Sequence, residues 1–394
     1  MKILNISNEL REGLACAASL ALRGHRVIDV HLGSHFRIHR LRVQLDTGTT
    51  TLKHVEIPYT SIKSTKLLKY YSRVIEQLIG EEFSNDLDVV VTSSSYHSFY
   101  ITRTISRTYN TPLVVRISDL GILGKFKEAL TLFHWYKSIF ELPVALVRLG
   151  KAIASADIII AHTASISKFV ESHAPRRSIL IYPTYARVIP EDQVNTLEMI
   201  NNIESTVDTN KPIILSVITV KRGGLAGEHD RKSLKGLYLV TKYNPHVTVV
   251  VIGSDYNEAL EVLGKDRIPF NLKFLGKIHN DLVLEYTYKR ASLVLVPFFF
   301  RKTISNRLIE SLFYKRPTLT NTCLSEDFPW LKRIEKYMFS RLDELPYHVK
   351  YIIKSEEALD ILEENVKAIW EKELSDRVFG SRISATLQHL NTRR

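Results

Sequence analysis

Residues 292–321, SLVLVPFFFRKTISNRLIESLFYKRPTLTN, are the stretch of this chain best equipped for chemistry. They offer one carboxylate, Glu310, just inside a predicted helix, and two small polar residues, Ser305 and Asn306, where that helix begins. A carboxylate in the second turn of a helix can accept two hydroxyl hydrogen bonds, as from a ribose. The free N–H groups and the dipole of a helix start converge on one point, where they can hold an anion. The elements that must position these groups follow from pattern. Ser292 and the LVLV after it form a short apolar run closed by Pro297, which reads as a buried strand ending at a loop. Residues 301–306 are a polar turn. Leu308, Ile309, Leu312 and Phe313 then recur at helical spacing, so the helix starts at Ser305 or Asn306, both good N-caps. Arg316-Pro317 stops it, and 318–320 begin another strand. Any doubly wound domain contains such a unit, so the pattern alone leaves both a ligand site and plain architecture open.

This stretch resembles the donor-binding motif of GT-B-fold, retaining, nucleotide-sugar-dependent glycosyltransferases of the family 4, group 1-like kind. The resemblance rests on Pro297, Ser305-Asn306-Arg307, Glu310 and Lys315-Arg316-Pro317. Members of that family carry two glutamates eight positions apart, and the earlier position here is Lys302. The glycine-rich part of the loop is also missing. The resemblance implies that Glu310 holds the ribose of a nucleoside diphosphate sugar, with Ser305, Asn306 and Arg307 near its phosphates. Lys302 would stand where sugar hydroxyls are contacted, which suits an acidic sugar or a weakened activity.

The rest of the chain resembles the same family in order. Over residues 1–185 strands are expected at 3–6, 27–30, 55–58, 89–92, 113–117 and 158–161, separated by helical lengths. That is the pattern of βαβ units and a parallel sheet, whose ligands bind at the carboxyl ends of the strands. Leu22 to Val27, LRGHRV, resembles the family's first helix-to-strand junction, with Gly24 as helix C-cap. The loop from Asn8 to Gly13 and the residues His97 and Ser118 fall on the acceptor side, and Asp119, directly after a strand, is the catalytic candidate there. Each of these polar residues alone also reads as a cap or turn group. Asp86-Leu87-Asp88 has the spacing of a metal-binding motif but precedes a strand, the wrong end for a site.

Residues 186–211 read as a linker, and 212–354 as a second α/β unit, with strands at 213–217, 247–252 and 272–275 and helices at 234–243 and 281–290. The resemblance makes this the donor domain. It assigns Lys235, before Gly236, and Arg222 to the donor diphosphate, places Gly253 at the end of a strand on the donor side, and puts Ile278 beside the nucleobase. Residues 355–394 are helical and charged and are expected to return to the first domain. The expected fold is therefore α/β, two Rossmann-like parallel-sheet domains facing a cleft.

Bulk properties fit this reading. A chain of 394 residues, 45% hydrophobic, can bury two cores. Its two cysteines, Cys16 and Cys323, match no disulfide or metal spacing, which suits a reducing compartment. Met1-Lys2 leads straight into a strand, so no leader is expected, and no apolar run is long enough for a bilayer span. The net charge of +12 implies an anionic partner. Residues 122–154 mix Phe126, Phe133, Trp135, Tyr136 and Phe140 with lysines and arginines, which suits either a helix pair lying on an anionic membrane or two helices packed on the sheet. The expected partners are a nucleotide sugar, an acceptor glycan or lipid-linked sugar, and an anionic membrane surface, at the cytoplasmic inner face. No cofactor or metal is expected, and no nucleic acid, for which the sequence shows no binding module. The alternative is an inactive sugar-nucleotide-binding protein of the same fold.

Overall fold

The computed structural model describes residues 1–58, 65–118, 147, 149–189, 194–208, 210–218, 224–264, 267–297 and 305–392. Two sheets organise them. The first runs β8-β7-β6-β5-β1-β2-β4-β3-β9, formed from β1 (Lys2–Ser7), β2 (Arg26–Gly33), β3 (Arg37–Gln44), β4 (Thr49–Pro58), β5 (Val89–Ser93), β6 (Leu113–Ile117), β7 (Ile158–Ala161), β8 (Ser178–Leu180) and β9 (Arg187–Val188). The second runs β12-β11-β10-β13-β14, formed from β10 (Ile213–Val217), β11 (Thr248–Ile252), β12 (Leu272–Phe274), β13 (Leu293–Val296) and β14 (Thr318–Thr320). The described pairs are parallel except where β3 meets β4 and β9. Central strands such as VVVTS of β5 and TVVVI of β11 are buried along their whole length. Covered on both faces, they read in sequence as unbroken apolar runs.

Helices flank both sheets: α1 (Leu10–Ala21), α2 (Thr65–Phe83), α3 (Tyr96–Thr108), α4 (Ala164–His173), α5 (Val194–Thr206), α6 (Gly224–Tyr243), α7 (Tyr256–Leu263), α8 (Asp281–Arg290), α9 (Asn306–Phe313), α10 (Leu345–Lys354), α11 (Glu356–Ile369) and α12 (Asp376–Thr392). One core gathers around the second sheet, with Leu215, Val250, Leu295 and Leu312 fully buried. Two clusters cover opposite faces of the first sheet, one holding Leu4, Val90 and Val115 and the other Ile3, Val89 and Val114. That alternation along β1, β5 and β6 is the two-residue period of a strand.

Four features differ from the sequence pattern. The β3–β4 hairpin extends the first sheet, because β3 (RIHRLRVQ) is near an edge and buries only Val43 fully, so its exposed arginines hide its apolar face. Within 186–211, Arg187–Val188 joins the first sheet and Val194–Thr206 is a helix tied to the second domain, where Asn280 Nδ2 donates to Thr196 Oγ1 at 2.7 Å. Helix α6 begins at Gly224, ten residues before the expected 234, across the polar LAGEHDRKS. Within 355–394 the chain divides. Helix α11 buries Leu362, Val366 and Ile369 in the second domain's core, and a π-turn at Trp370–Leu374 follows. Only α12 lies on the first domain, burying Phe379, Ile383 and Leu387 against Ile3, Cys16 and Leu20.

This crossing is anchored at Asp376, whose carboxylate accepts from Ser19, Thr47 and Arg23. Asp46 receives the backbone N–H of Asp376 at 2.9 Å and the Trp370 indole at 3.2 Å. Gly380 lets α12 approach this closely, since a Cβ there would collide with Arg23 and Ser19.

Candidate active site in the interdomain cleft

A cavity of about 330 Å³ opens between the carboxyl edges of the two sheets. The first domain lines it with Arg11 and Glu12, and the crossing chain with Tyr185. The second domain contributes Gly253, Ile278, Asn306 and Glu310, with Lys277 and His279 exposed at its rim. It is large enough for a small ligand.

Glu310 is placed by its helix. Ser305 caps α9, its Oγ accepting the Leu308 N–H at 3.3 Å, and Leu308, Ile309 and Leu312 bury the apolar stripe. The carboxylate one turn on is thereby held half-buried in the wall of the cleft. The Tyr185 hydroxyl donates to its Oε1 at 2.9 Å. Burial pushes the Glu310 carboxyl up to about 7, against the Tyr185 hydrogen bond and the nearby charge of Arg11. Aromatic rings back the carboxylate: Tyr288 and Tyr314 stack at 4.4 Å, and Tyr185 packs on Phe313 at 4.9 Å between centroids. Burial, and then the charge of Glu310, hold the Tyr185 phenol well above its ordinary value, so it remains a donor.

Arg11, at the start of α1, reaches across the cleft. Its two terminal nitrogens donate to the two oxygens of Asp281. Its guanidinium lies 5.8 Å from the Tyr185 ring centroid. Asp281 stands in the first turn of α8, behind the N-cap Asn280, and also accepts the Val188 N–H at 2.5 Å. A second bond between the first-sheet strand β9 and α8 joins Arg187 to Glu285.

On the first domain's wall, Glu12 is the centre of a buried polar cluster. Its Oε1 lies 3.4 Å from both the Arg116 guanidinium and His162 Nε2, and Ser118 hydrogen-bonds to it. Arg116 is fully buried and donates to the Glu12 carbonyl at 3.1 Å and to Asn5 Oδ1 at 3.3 Å. His162 Nδ1 lies 2.7 Å from the Ile181 carbonyl, which can only accept, so that nitrogen carries the proton. Burial pushes the Glu12 carboxyl upward, but His162, Arg116 and Ser118 outweigh it and hold it at about 2. This is a stably ionised carboxylate, poorly matched to proton abstraction at neutral pH.

The residues singled out by sequence are thus divided. Gly253, Ile278, Asn306 and Glu310 meet in the cleft. Gly253 makes its turn there with φ 102°, a conformation suited to glycine. Ser305 spends its hydroxyl on the helix cap. Arg307 is half-buried and lies 3.8 Å from Asp230 on α6, away from the cleft lining. The helix start expected at Lys235 falls instead at Gly224, so Lys235 sits in the fourth turn of α6, on an exposed stripe with Arg231 and Lys232. The stripe faces outward because Ser233, almost half a turn away, faces the sheet and donates to the Pro297 carbonyl at 2.7 Å.

On the first domain, Ser118 is not part of the cavity lining but hydrogen-bonds to Glu12, which is. Asn8 accepts from Ser93 Oγ at 2.7 Å, Gly13 is buried in α1, and His97 is half-buried in the first turn of α3. None of these three lines the cavity. Asp119, Arg222 and Lys302 lie outside the described residues, as does most of 122–154. Arg11, Glu12, Tyr185 and Asp281 were not singled out. Arg11 and Glu12 stand within the loop-to-helix stretch 8–13, which gave the only signal for them. Asp86 pairs with Lys2, and Asp88 accepts the Lys2 N–H at 2.6 Å, both at the amino edge of the sheet.

The two facing domains, each with a parallel sheet and a shared cleft at the strands' carboxyl ends, define the GT-B architecture. No family model matches the sequence, and no curated protein matches it significantly. The structure is similar to HepE of Anabaena, solved with UDP and glucose, at TM-score 0.63 and 14% identity over 98% of both chains. It is also similar to an α,α-trehalose 6-phosphate synthase from Burkholderia multivorans, at 0.59 and 10% identity over 100% of this chain and 98% of that one. A third is MnaA of S. aureus, solved with UDP, at 0.57 and 14% identity over 99% of this chain and 97% of that one. At such identities the likeness establishes the fold, and the fold is GT-B.

Proposed function

We propose that this chain is a glycosyltransferase of the hexosyl type that moves a sugar from a nucleoside diphosphate sugar to an acceptor, with retention of anomeric configuration. The observation that carries the reading is Glu310, a cleft carboxylate one turn inside a capped helix, oriented by Tyr185 from the interdomain crossing. One of its oxygens accepts from Tyr185, the Tyr288 hydroxyl also approaches the carboxylate, and in this reading ribose hydroxyls reach it from the cavity. The bound UDP of HepE and of MnaA supports a nucleotide at this cleft. The aromatic rings behind Glu310 give its carboxylate an apolar backing, which strengthens its hydrogen bonds.

Departure of a nucleoside diphosphate leaves growing negative charge on the diphosphate oxygens. In this reading side chains and the start of α9 neutralise it, without a metal. The acceptor is a glycan or lipid-linked sugar taken from the first domain's side, near Glu12 and Ser118. The protein acts in the cytoplasm, on the membrane's inner face. Among the described residues no helix is long and apolar enough to cross a membrane.

A panel of nucleotide sugars tests the reading by thermal shift and by release of nucleoside diphosphate. Stabilisation by at least one donor, with turnover that survives a chelator, is expected. Binding without turnover on any acceptor would establish the inactive alternative. No stabilisation by any nucleotide sugar would end the reading.

A further inference from the structure

We propose that Arg11 is the residue that binds the diphosphate of the ligand, and that its guanidinium exchanges Asp281 for that diphosphate when the ligand enters. The inference rests on the reading of the cleft as a nucleotide site. It begins with the geometry of Arg11, whose two terminal nitrogens lie in a fork on the two oxygens of Asp281. The same fork fits two oxygens of a phosphate, because both anions present oxygens at similar spacing. Asp281 thus marks where an anion sits on this guanidinium.

Exchange is open to Asp281 because it does not depend on Arg11 alone. Its carboxylate is buried, accepts the Val188 N–H at 2.5 Å, and stands in the first turn of α8. A helix start favours negative charge. Released from Arg11, the carboxylate retains those two stabilising groups. Removing one member of an ordinary buried ion pair would strand the other at high cost; here the local structure lowers that cost.

Position points the same way. Arg11 lines the cavity together with Glu310 and Asn306, and its guanidinium lies by the ring of Tyr185, whose hydroxyl orients Glu310. In any nucleoside diphosphate only the 5′-carbon separates the ribose ring from the diphosphate ester, so a ribose on Glu310 keeps the diphosphate within the cavity that Arg11 also lines. Other basic residues among those described serve this less well. Arg307 is engaged by Asp230, Lys277 and His279 are exposed at the rim, and Lys235 faces outward. Arg11 comes from the first domain and Glu310 from the second, so a nucleotide held by both would span the cleft.

Titration calorimetry at pH 8.5, above the Glu310 midpoint of about 7, tests the proposal with UDP and uridine as probes, and with ADP, GDP and their nucleosides in parallel. Arg11→Gln should lower nucleoside diphosphate affinity by about 10- to 100-fold, with nucleoside affinity within about threefold of the wild type. Arg11→Lys, which keeps the charge but loses the fork, should fall between. Asp281→Asn keeps an acceptor for Val188 and frees the guanidinium, so it should bind the nucleoside diphosphate several-fold tighter. A purely structural ion pair predicts the opposite for Asp281→Asn: a loss like that of Arg11→Gln, equal for nucleoside and diphosphate. That result, or unchanged diphosphate binding in both Arg11 variants, overturns the role of Arg11 while the nucleotide reading stands. If no nucleoside diphosphate binds the wild-type protein, the nucleotide reading falls and Arg11 falls with it.

Discussion

A ligand whose ribose hydroxyls donate to Glu310 needs the ionised carboxylate, so nucleotide-sugar affinity should rise with pH through about 7. Burial raises this group, while the Tyr185 hydrogen bond, Arg11 and Arg307 lower it and Asp281 raises it further. With the midpoint at about 7, roughly one carboxyl in ten is ionised at pH 6 and roughly nine in ten at pH 8. The apparent dissociation constant should therefore fall about tenfold between those values, equivalent to ~1.4 kcal/mol. Isothermal titration with a nucleotide sugar measures this cleanly, because its diphosphate is esterified at both ends and keeps its charge over that range. Glu310→Gln should flatten the profile. Tyr185→Phe removes a group that lowers the pKa and should move the midpoint upward. His279 lines the rim of the same cavity, so the series is repeated in His279→Gln. A profile that is flat in the wild type, or that persists unchanged in Glu310→Gln, would refute the assignment of Glu310 to the ribose.

Glu12→Ala would leave Arg116 and His162 buried without their carboxylate, and calorimetric unfolding should show a loss of about 3–5 kcal/mol; an unchanged melting temperature would mean that the cluster carries no net stability. Gly380→Val should force α12 away from Arg23 and Ser19, costing about 1–3 kcal/mol and exposing the segment after Ser375 to limited proteolysis; wild-type resistance would show that the crossing can absorb a side chain. From composition alone, residues 122–154 should bind anionic liposomes at low salt and release at high salt, and should weaken when Lys125, Lys127 and Lys137 become glutamate. Wild-type protein left in the supernatant would remove the membrane from the proposed setting.

Much of the architecture was legible because central parallel strands must be apolar on both faces. Runs such as VVVTS and LVVRI could hardly be anything else, and their spacing demanded helical crossovers. The α9 start was legible for a local reason too: a serine cap, then an apolar stripe at helical spacing, with Glu310 one turn on. Edge elements were harder to read. Strand β3 buries one residue fully, so its eight-residue alternation is obscured by arginines. Helix α6 runs ten residues longer than its apolar pattern, and that moved Lys235 from a helix start to an outer face.

The sequence by itself determined that there would be two α/β domains and that Glu310 would stand at the carboxyl edge of the second. Both are consequences of local periodicity and capping, which act over a few residues. Which charges meet in the cleft was decided only by the tertiary structure. Arg11 and Asp281 are 270 residues apart, and Tyr185 and Glu310 are 125 apart. No spacing rule connects such residues. They meet because the two sheets present their carboxyl edges to each other, and because the chain crossing between them carries Tyr185 to the second domain's wall.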